Sequence, residues 1–235
     1  MQICNLCGSD KWADMNMRKN VKCAICGSLE RGRCIGVILS KLNILKDGMR
    51  ILHFAPEKGI HDYIMRHITP STYDLFDIDP TRYKKMHVKK FNLLSDLPSL
   101  KDSYYDLILH SHVLEHIPCN FAYIIYHLFR SLKDDGMHIA CIPFLNGFYS
   151  ENFCQLSNED ARSQFGQFDH VRKFGNQDIN RHLGLFIKIP PHYDLTIYAN
   201  TEELARYNIP LRSHHGFHPD TILVNGKADY LLSRH

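Results

Sequence analysis

Short apolar runs separated by polar turns dominate the chain between residues 49 and 145. Ile51-Leu52-His53-Phe54 and Tyr73-Asp74-Leu75-Phe76 read as strands, with a tight loop (Ala55 to Gly59) and a helix (Ile60 to His67) between them. Tyr104 to Leu109 is apolar almost throughout, as a parallel strand covered on both faces should be. A helix from Cys119 to Leu132, a turn at Lys133-Asp134-Asp135-Gly136-Met137 and a strand from His138 to Pro143 follow. Strands alternating with helices predict an α/β unit around a mostly parallel sheet.

On either side the pattern changes. From Glu30 to Leu45 the apolar residues Cys34, Val37, Ile38, Leu39, Leu42 and Leu45 recur at helical spacing, a stripe that would dock the N-terminal segment on the main domain. Residues 146–167 are irregular, with Phe148, Tyr149, Phe153 and Phe165 set among polar residues. The tail from Phe186 returns to strand-like runs (Phe186 to Ile189, Leu195 to Tyr198, Thr221 to Val224, Tyr230 to Leu232), and Asn225-Gly226 is a two-residue hairpin signal.

At 235 residues with 44% apolar positions, one α/β domain with a small appendage is expected. A net charge of +3 is too small to argue for a nucleic-acid surface. No apolar run approaches the roughly 18 residues of a membrane span, and a soluble, cytoplasmic protein is the expectation. Oligomeric state is left open.

Four of the eight cysteines lie in paired turns, Cys4-x-x-Cys7-Gly and Cys23-x-x-Cys26-Gly, with fifteen residues between the pairs. Two such turns complete a tetrahedral four-sulfur site, so a structural zinc is expected on Cys4, Cys7, Cys23 and Cys26. A redox dithiol is the alternative. Residues 1–30 would form this zinc ribbon and 31–235 the main domain.

The loop after the first strand enters a helix and so turns backbone N–H groups toward a ligand. Asp77 stands eighteen residues beyond Gly59, at the tip of the next strand, where an acid can take both ribose hydroxyls. With only Gly59 in the loop, a pyrophosphate is poorly served and a nucleoside such as S-adenosylmethionine fits better.

The series Ile51 to Gly59, Phe76 to Pro80, Tyr105 to Leu109, His112 to Pro118 ("HVLEHIP") and Leu132 to Pro143 ("LKDDGMHIACIP") resembles class I, Rossmann-like S-adenosylmethionine-dependent methyltransferases, in particular the small-molecule branch with ubiquinone and sugar methyltransferases. The resemblance implies a seven-stranded, mostly parallel sheet with an antiparallel C-terminal strand and a substrate lid over about residues 146–182. It also implies a cofactor held by His53, Ala55, Pro56, Glu57 and Gly59, by Asp77 and Ile78, by Asn92 and Leu93 near the adenine, and by Ser111 and His112. The chain departs from the family in having His53 where an acid is usual, and Ala55 and Glu57 where glycines are usual. Glu57 could replace the missing carboxylate and accept from the cofactor's ammonium.

Methyl transfer from a sulfonium needs alignment and, for a hydroxyl acceptor, a base. His116 is the candidate base, set against a capping or packing role; His170 is a second candidate. His112, Glu115 and His116 could instead hold a divalent ion, as in some ubiquinone methyltransferases. Arg31, Arg33, Asp169, His170 and Arg172 are candidates for a small anionic or hydroxylated substrate, set against solvated or structurally paired charges. The expected activity is methylation of a small-molecule hydroxyl, on a sugar or related metabolite. The alternatives are an RNA base methyltransferase with a zinc module, disfavoured by the dispersed basic residues, and a binding protein that kept the fold without the chemistry.

Overall fold

The computed structural model describes residues 1–232. An N-terminal hairpin of β1 (Trp12–Met15) and β2 (Arg18–Cys23) leads into helix α1 (Glu30–Lys41). The α/β core continues with β3 (Arg50–Phe54), α2 (Lys58–His67), β4 (Thr72–Asp77), β5 (Lys89–Lys90), β6 (Tyr105–Ser111), α3 (Phe121–Ser131) and β7 (Leu132–Cys141). Two short strands, β8 (Phe144–Leu145) and β9 (Ser150–Glu151), precede α4 (Asn158–Phe165) and β10 (Arg172–Gly175). Helix α5 (Thr201–Arg206) and strand β11 (Ile222–Gly226) follow.

The main sheet has the order β5-β4-β3-β6-β7-β11, with β11 alone antiparallel. Counted by position along the chain, that order is 3-2-1-4-5-6. It is the Rossmann order, and it reverses between β3 and β6, the topological switch point at which sheets of this kind take ligands beyond the carboxyl ends of their strands. Alternation along the strands builds the two sides of the core. Leu52, Phe54 and Ile108 face α3 with Ile124, Ile125 and Leu128, whereas Ile51, Leu107, Leu109 and Ile139 pack with Ile60 and Ile64 of α2 and with α1.

Six strands are present among the described residues rather than the expected seven. Between β7 and β11 the chain is diverted into the small sheet β8-β10-β9, α4 and several turns of 3₁₀ helix. Leu195–Ile197, read as strand, is one of those 3₁₀ turns, capped by Asp194, whose carboxylate accepts from Thr196 N–H. Phe186 to Ile189 and Tyr230 to Leu232 supply only one isolated bridge, Ile187 to Tyr230.

Asn225-Gly226 is not a hairpin turn: both residues continue β11 opposite His138 and Met137. The Asn225 amide donates to Lys188 O, 3.0 Å away, and the chain bends afterwards, over Lys227–Asp229. The turn expected at residues 133–137 is absorbed into β7. Leu132 pairs with Tyr105 and Met137 with Leu107, so four residues bulge opposite Asp106. Gly136 makes this possible, since a Cβ there would lie 2.8 Å from Leu132 Cδ1 and 3.0 Å from Tyr105 O.

Candidate functional site at the carboxyl edge of the sheet

The four cysteines of the paired turns converge. Cys4 and Cys26 Sγ are 3.6 Å apart and Cys7 and Cys23 Sγ 3.5 Å apart, with all four sulfurs within 4.8 Å of one another. These separations are far too long for a disulfide, and they approach the ~3.8 Å tetrahedron edge that metal–sulfur bonds of about 2.3 Å require. Burial and the neighbouring thiols push Cys7 up to about 11; the hydrogen bond to Cys4, then burial, pushes Cys26 up to about 12. Cys4 moves the other way, lowered by its hydrogen bond with Cys26, and a cation would favour the thiolate form of the set. The Ser28 hydroxyl lies 3.3 Å from both Cys4 and Cys26 Sγ. The donor set therefore fits zinc.

At the switch point, β3 is followed by Ala55, whose φ of +47° turns the chain into α2 while its N–H still bonds Phe76 O at 2.9 Å. Two residues on, Glu57 occupies the N-cap position of α2. One oxygen of Glu57 meets Arg31 at 2.8 Å, and Arg31 Nε donates to Ser111 Oγ at the end of β6, 3.1 Å away. The second Glu57 oxygen is buried without a hydrogen bond. Asp77 ends β4 with its carboxylate accepting from Asp79 N–H (2.8 Å) and from the Tyr83 hydroxyl (2.5 Å).

The remaining residues expected around a cofactor have varied surroundings. Ile78 is exposed and Leu93 buried, while Asn92 closes its own loop through bonds with Leu94 N–H and Asp96. His53 is buried beneath the strand tips, stacked on Tyr73 with Nδ1 3.1 Å from the Tyr73 hydroxyl, and burial lowers it to about 3.

On the other side of the switch point, β6 runs into a 3₁₀ turn, Leu114–His116. The Glu115 side chain is 1% exposed, and neither oxygen takes part in a hydrogen bond. Burial raises its carboxyl to about 8, so it holds a proton at neutral pH. His112 Nδ1 is 3.4 Å from Glu115 Oε1, and burial and Arg31 lower His112 to about 3. His112 Nε2 faces Pro219 O at 3.0 Å, and a carbonyl only accepts, so the proton of this neutral imidazole sits on Nε2.

The same logic sets the other imidazoles. His116 Nδ1 lies 3.2 Å from Asp169 O and 3.4 Å from its carboxylate, which places the proton on Nδ1 and leaves the Nε2 lone pair open. His170, edge-on to His116 at 4.7 Å between centroids, donates Nδ1–H to Phe165 O. Glu115, His116 and His170 each bring a potential ligand atom within 4.8 Å of the others. The cluster can take a proton or coordinate a cation.

Two of the expected substrate arginines have other tasks. Arg33 is fully buried and donates to Ser28 O, Val21 O and Asn208 O, tying the second cysteine turn, β2 and the segment after α5 together. Arg172 is equally buried and donates to Leu114 O, Ile117 O and Cys119 O, which shapes the turn carrying Glu115 and His116. Burial sets each guanidinium on backbone carbonyls, and Arg172 Nε also lies 3.6 Å from a Glu151 carboxylate oxygen. Conversely, Tyr83, set in a basic segment that gives no sequence signal for a site, covers Asp77.

No family model matches the chain, and no curated protein does. Among solved structures it is similar to a protein provisionally named as a sarcosine dimethylglycine methyltransferase from Galdieria sulphuraria (20% identity, TM-score 0.40, 48% of this chain and 47% of that one). It is also similar to a provisionally named methyltransferase from Bacillus halodurans (13%, 0.43, 71% and 79%). A third is a chain from the complex of the Haloferax volcanii Trm112 methyltransferase activator with a provisionally named methyltransferase (10%, 0.45, 68% and 75%). The chain spans about half the length of the first of these. Overlaps of this size leave the strand order itself to define the fold.

Proposed function

We propose that the protein is an S-adenosylmethionine-dependent methyltransferase acting on a small-molecule acceptor, with a structural zinc in its cysteine cluster. The observation that carries this reading is the Arg31–Glu57 pair at the switch point of a Rossmann-ordered sheet. A guanidinium and a carboxylate side by side, the latter with an unused oxygen, match the carboxylate and ammonium of an amino-acid tail. Asp77, at the tip of the neighbouring strand, suits the ribose of the same molecule, and the Tyr83 hydroxyl now stands where a ribose hydroxyl would donate.

When bound, this cofactor supplies an electrophilic methyl on a sulfonium. The chain supplies alignment and a base: His116, oriented through Nδ1 by Asp169, would take the acceptor hydroxyl proton on Nε2. A hydroxyl of a sugar or related metabolite is the class of acceptor this base serves. Calorimetry with S-adenosylhomocysteine tests the reading. Binding by the parent that Asp77→Ala weakens about a hundredfold supports it; an unchanged affinity in Asp77→Ala removes it.

A second reading of the acceptor side rests on one observation, the convergence of Glu115, His116 and His170. A divalent ion there would hold the acceptor oxygen and lower its proton affinity. Turnover that falls on chelation and returns with magnesium supports the ion. Turnover indifferent to both leaves His116 as the base.

A further inference from the structure

We infer that the four-cysteine cluster positions the Arg31–Glu57 clamp, so that metal in the cluster sets how tightly the cofactor tail is held. The inference rests on the methyltransferase reading and adds a control to the same site. Both members of the clamp are suspended from the cluster. Arg31 lies five residues after Cys26, in the first turn of α1, and the intervening Ser28 contacts the sulfurs of Cys4 and Cys26. Glu57 lies two residues before Gly59, the second residue of α2.

Gly59 touches the cluster itself. A Cβ on it would stand 3.3 Å from Cys26 Sγ and 3.2 Å from Leu6 Cδ1, so the first turn of α2 lies directly against the ligands and the loop between them. Leu6, between Cys4 and Cys7, also fits against α1 at Gly36, where a Cβ would fall 2.5 Å from Leu6 Cδ2. Gly32 brings α1 close to the clamp, a Cβ there lying 3.2 Å from the free Glu57 oxygen. The Leu6 carbonyl accepts from Arg66 at the far end of α2. The cysteine module is thus a wedge that sets the distance between α1 and α2, and the two halves of the clamp sit at its tip. Without a cation, the two cysteine turns are joined through their sulfurs only by weak thiol hydrogen bonds, which hold this wedge less firmly than four metal–sulfur bonds would.

The test measures S-adenosylhomocysteine binding calorimetrically in zinc-loaded protein and after zinc removal under reducing conditions, for the parent and for Arg31→Gln. Circular dichroism follows the fold in each case. The parent is expected to bind about tenfold more weakly without zinc, the loss of one charge-assisted contact. Arg31→Gln should bind more weakly from the start and lose less than about twofold further, because the coupling runs through the missing guanidinium. Parent affinity that is indifferent to zinc, or an equal loss in both proteins, overturns the inference. Absence of binding by the zinc-loaded parent refutes the cofactor reading and the coupling with it.

If zinc removal unfolds the chain, zinc-loaded Gly59→Ala carries the test. Its added methyl pushes α2 from Cys26 while the metal stays, so affinity should fall several-fold with zinc content unchanged, and undiminished affinity overturns the proposal.

Discussion

At one side of the switch point Arg31 and Glu57 neutralise each other across 2.8 Å, whereas at the other the Glu115 carboxyl lies buried with no hydrogen bond from a neighbour. The first arrangement is rigid and charge-complementary, suited to a ligand that carries both signs. The second is kept neutral by burial and surrounded by imidazoles with open lone pairs, suited to moving a proton or receiving a cation. Binding and chemistry are thus separated across the strand tips, and substitutions should separate them too.

The largest effect is expected on the chemical side. His116→Gln should lower kcat by about 10²- to 10⁴-fold, the usual contribution of a general base, with S-adenosylhomocysteine affinity unchanged. A parallel loss of affinity would erase the division between the two sides. Next, Asp77→Ala should weaken S-adenosylhomocysteine by about a hundredfold in calorimetry, since two hydrogen bonds to a charged group are lost. Glu57→Gln removes only one charged contact and should cost about tenfold, with kcat at saturating cofactor retained. An equal loss in kcat would place Glu57 in the chemistry instead.

The smallest effect sharpens the comparison through stability. The Glu115 carboxyl keeps its proton up to about pH 8 in the fold, but loses it near the ordinary 4.5 when unfolded. Between those values the unfolded state binds fewer protons, so this group makes the protein less stable as pH rises. Glu115→Gln, which cannot titrate, should therefore become more stable relative to the parent in denaturant unfolding between pH 4 and pH 8, and the unpartnered amide, costing the same at both pH values, leaves that rise unchanged. With a divalent ion bound at Glu115, His116 and His170 the sign reverses, because the variant loses a ligand.

Local patterns carried a good deal of this. The apolar runs placed β3, β4, β6 and the end of β7, and paired cysteine turns announced their own convergence, because each depends on neighbours a few residues away. Arg31 and Arg33 show where such reading stops. Two residues apart on one helix, they differ by more than half a helical turn, and only packing decides which guanidinium meets Glu57 and which is enclosed by Val21, Ser28 and Asn208 carbonyls. His116 and His170 are 54 residues apart and meet only because Arg172 and β10 fold the segment after α4 against the 3₁₀ turn.

The chain alone determined the order of strands and helices, the acid at the end of β4 and the sulfur quartet, all consequences of side-chain periodicity and short-range turn chemistry. Tertiary structure decided the six-stranded main sheet among the described residues, the burial of Arg33 and Arg172, the charge pair at the first loop and the protonated Glu115. Each of these depends on which distant groups displace water around a charge, and that is a property of packing rather than of neighbouring residues.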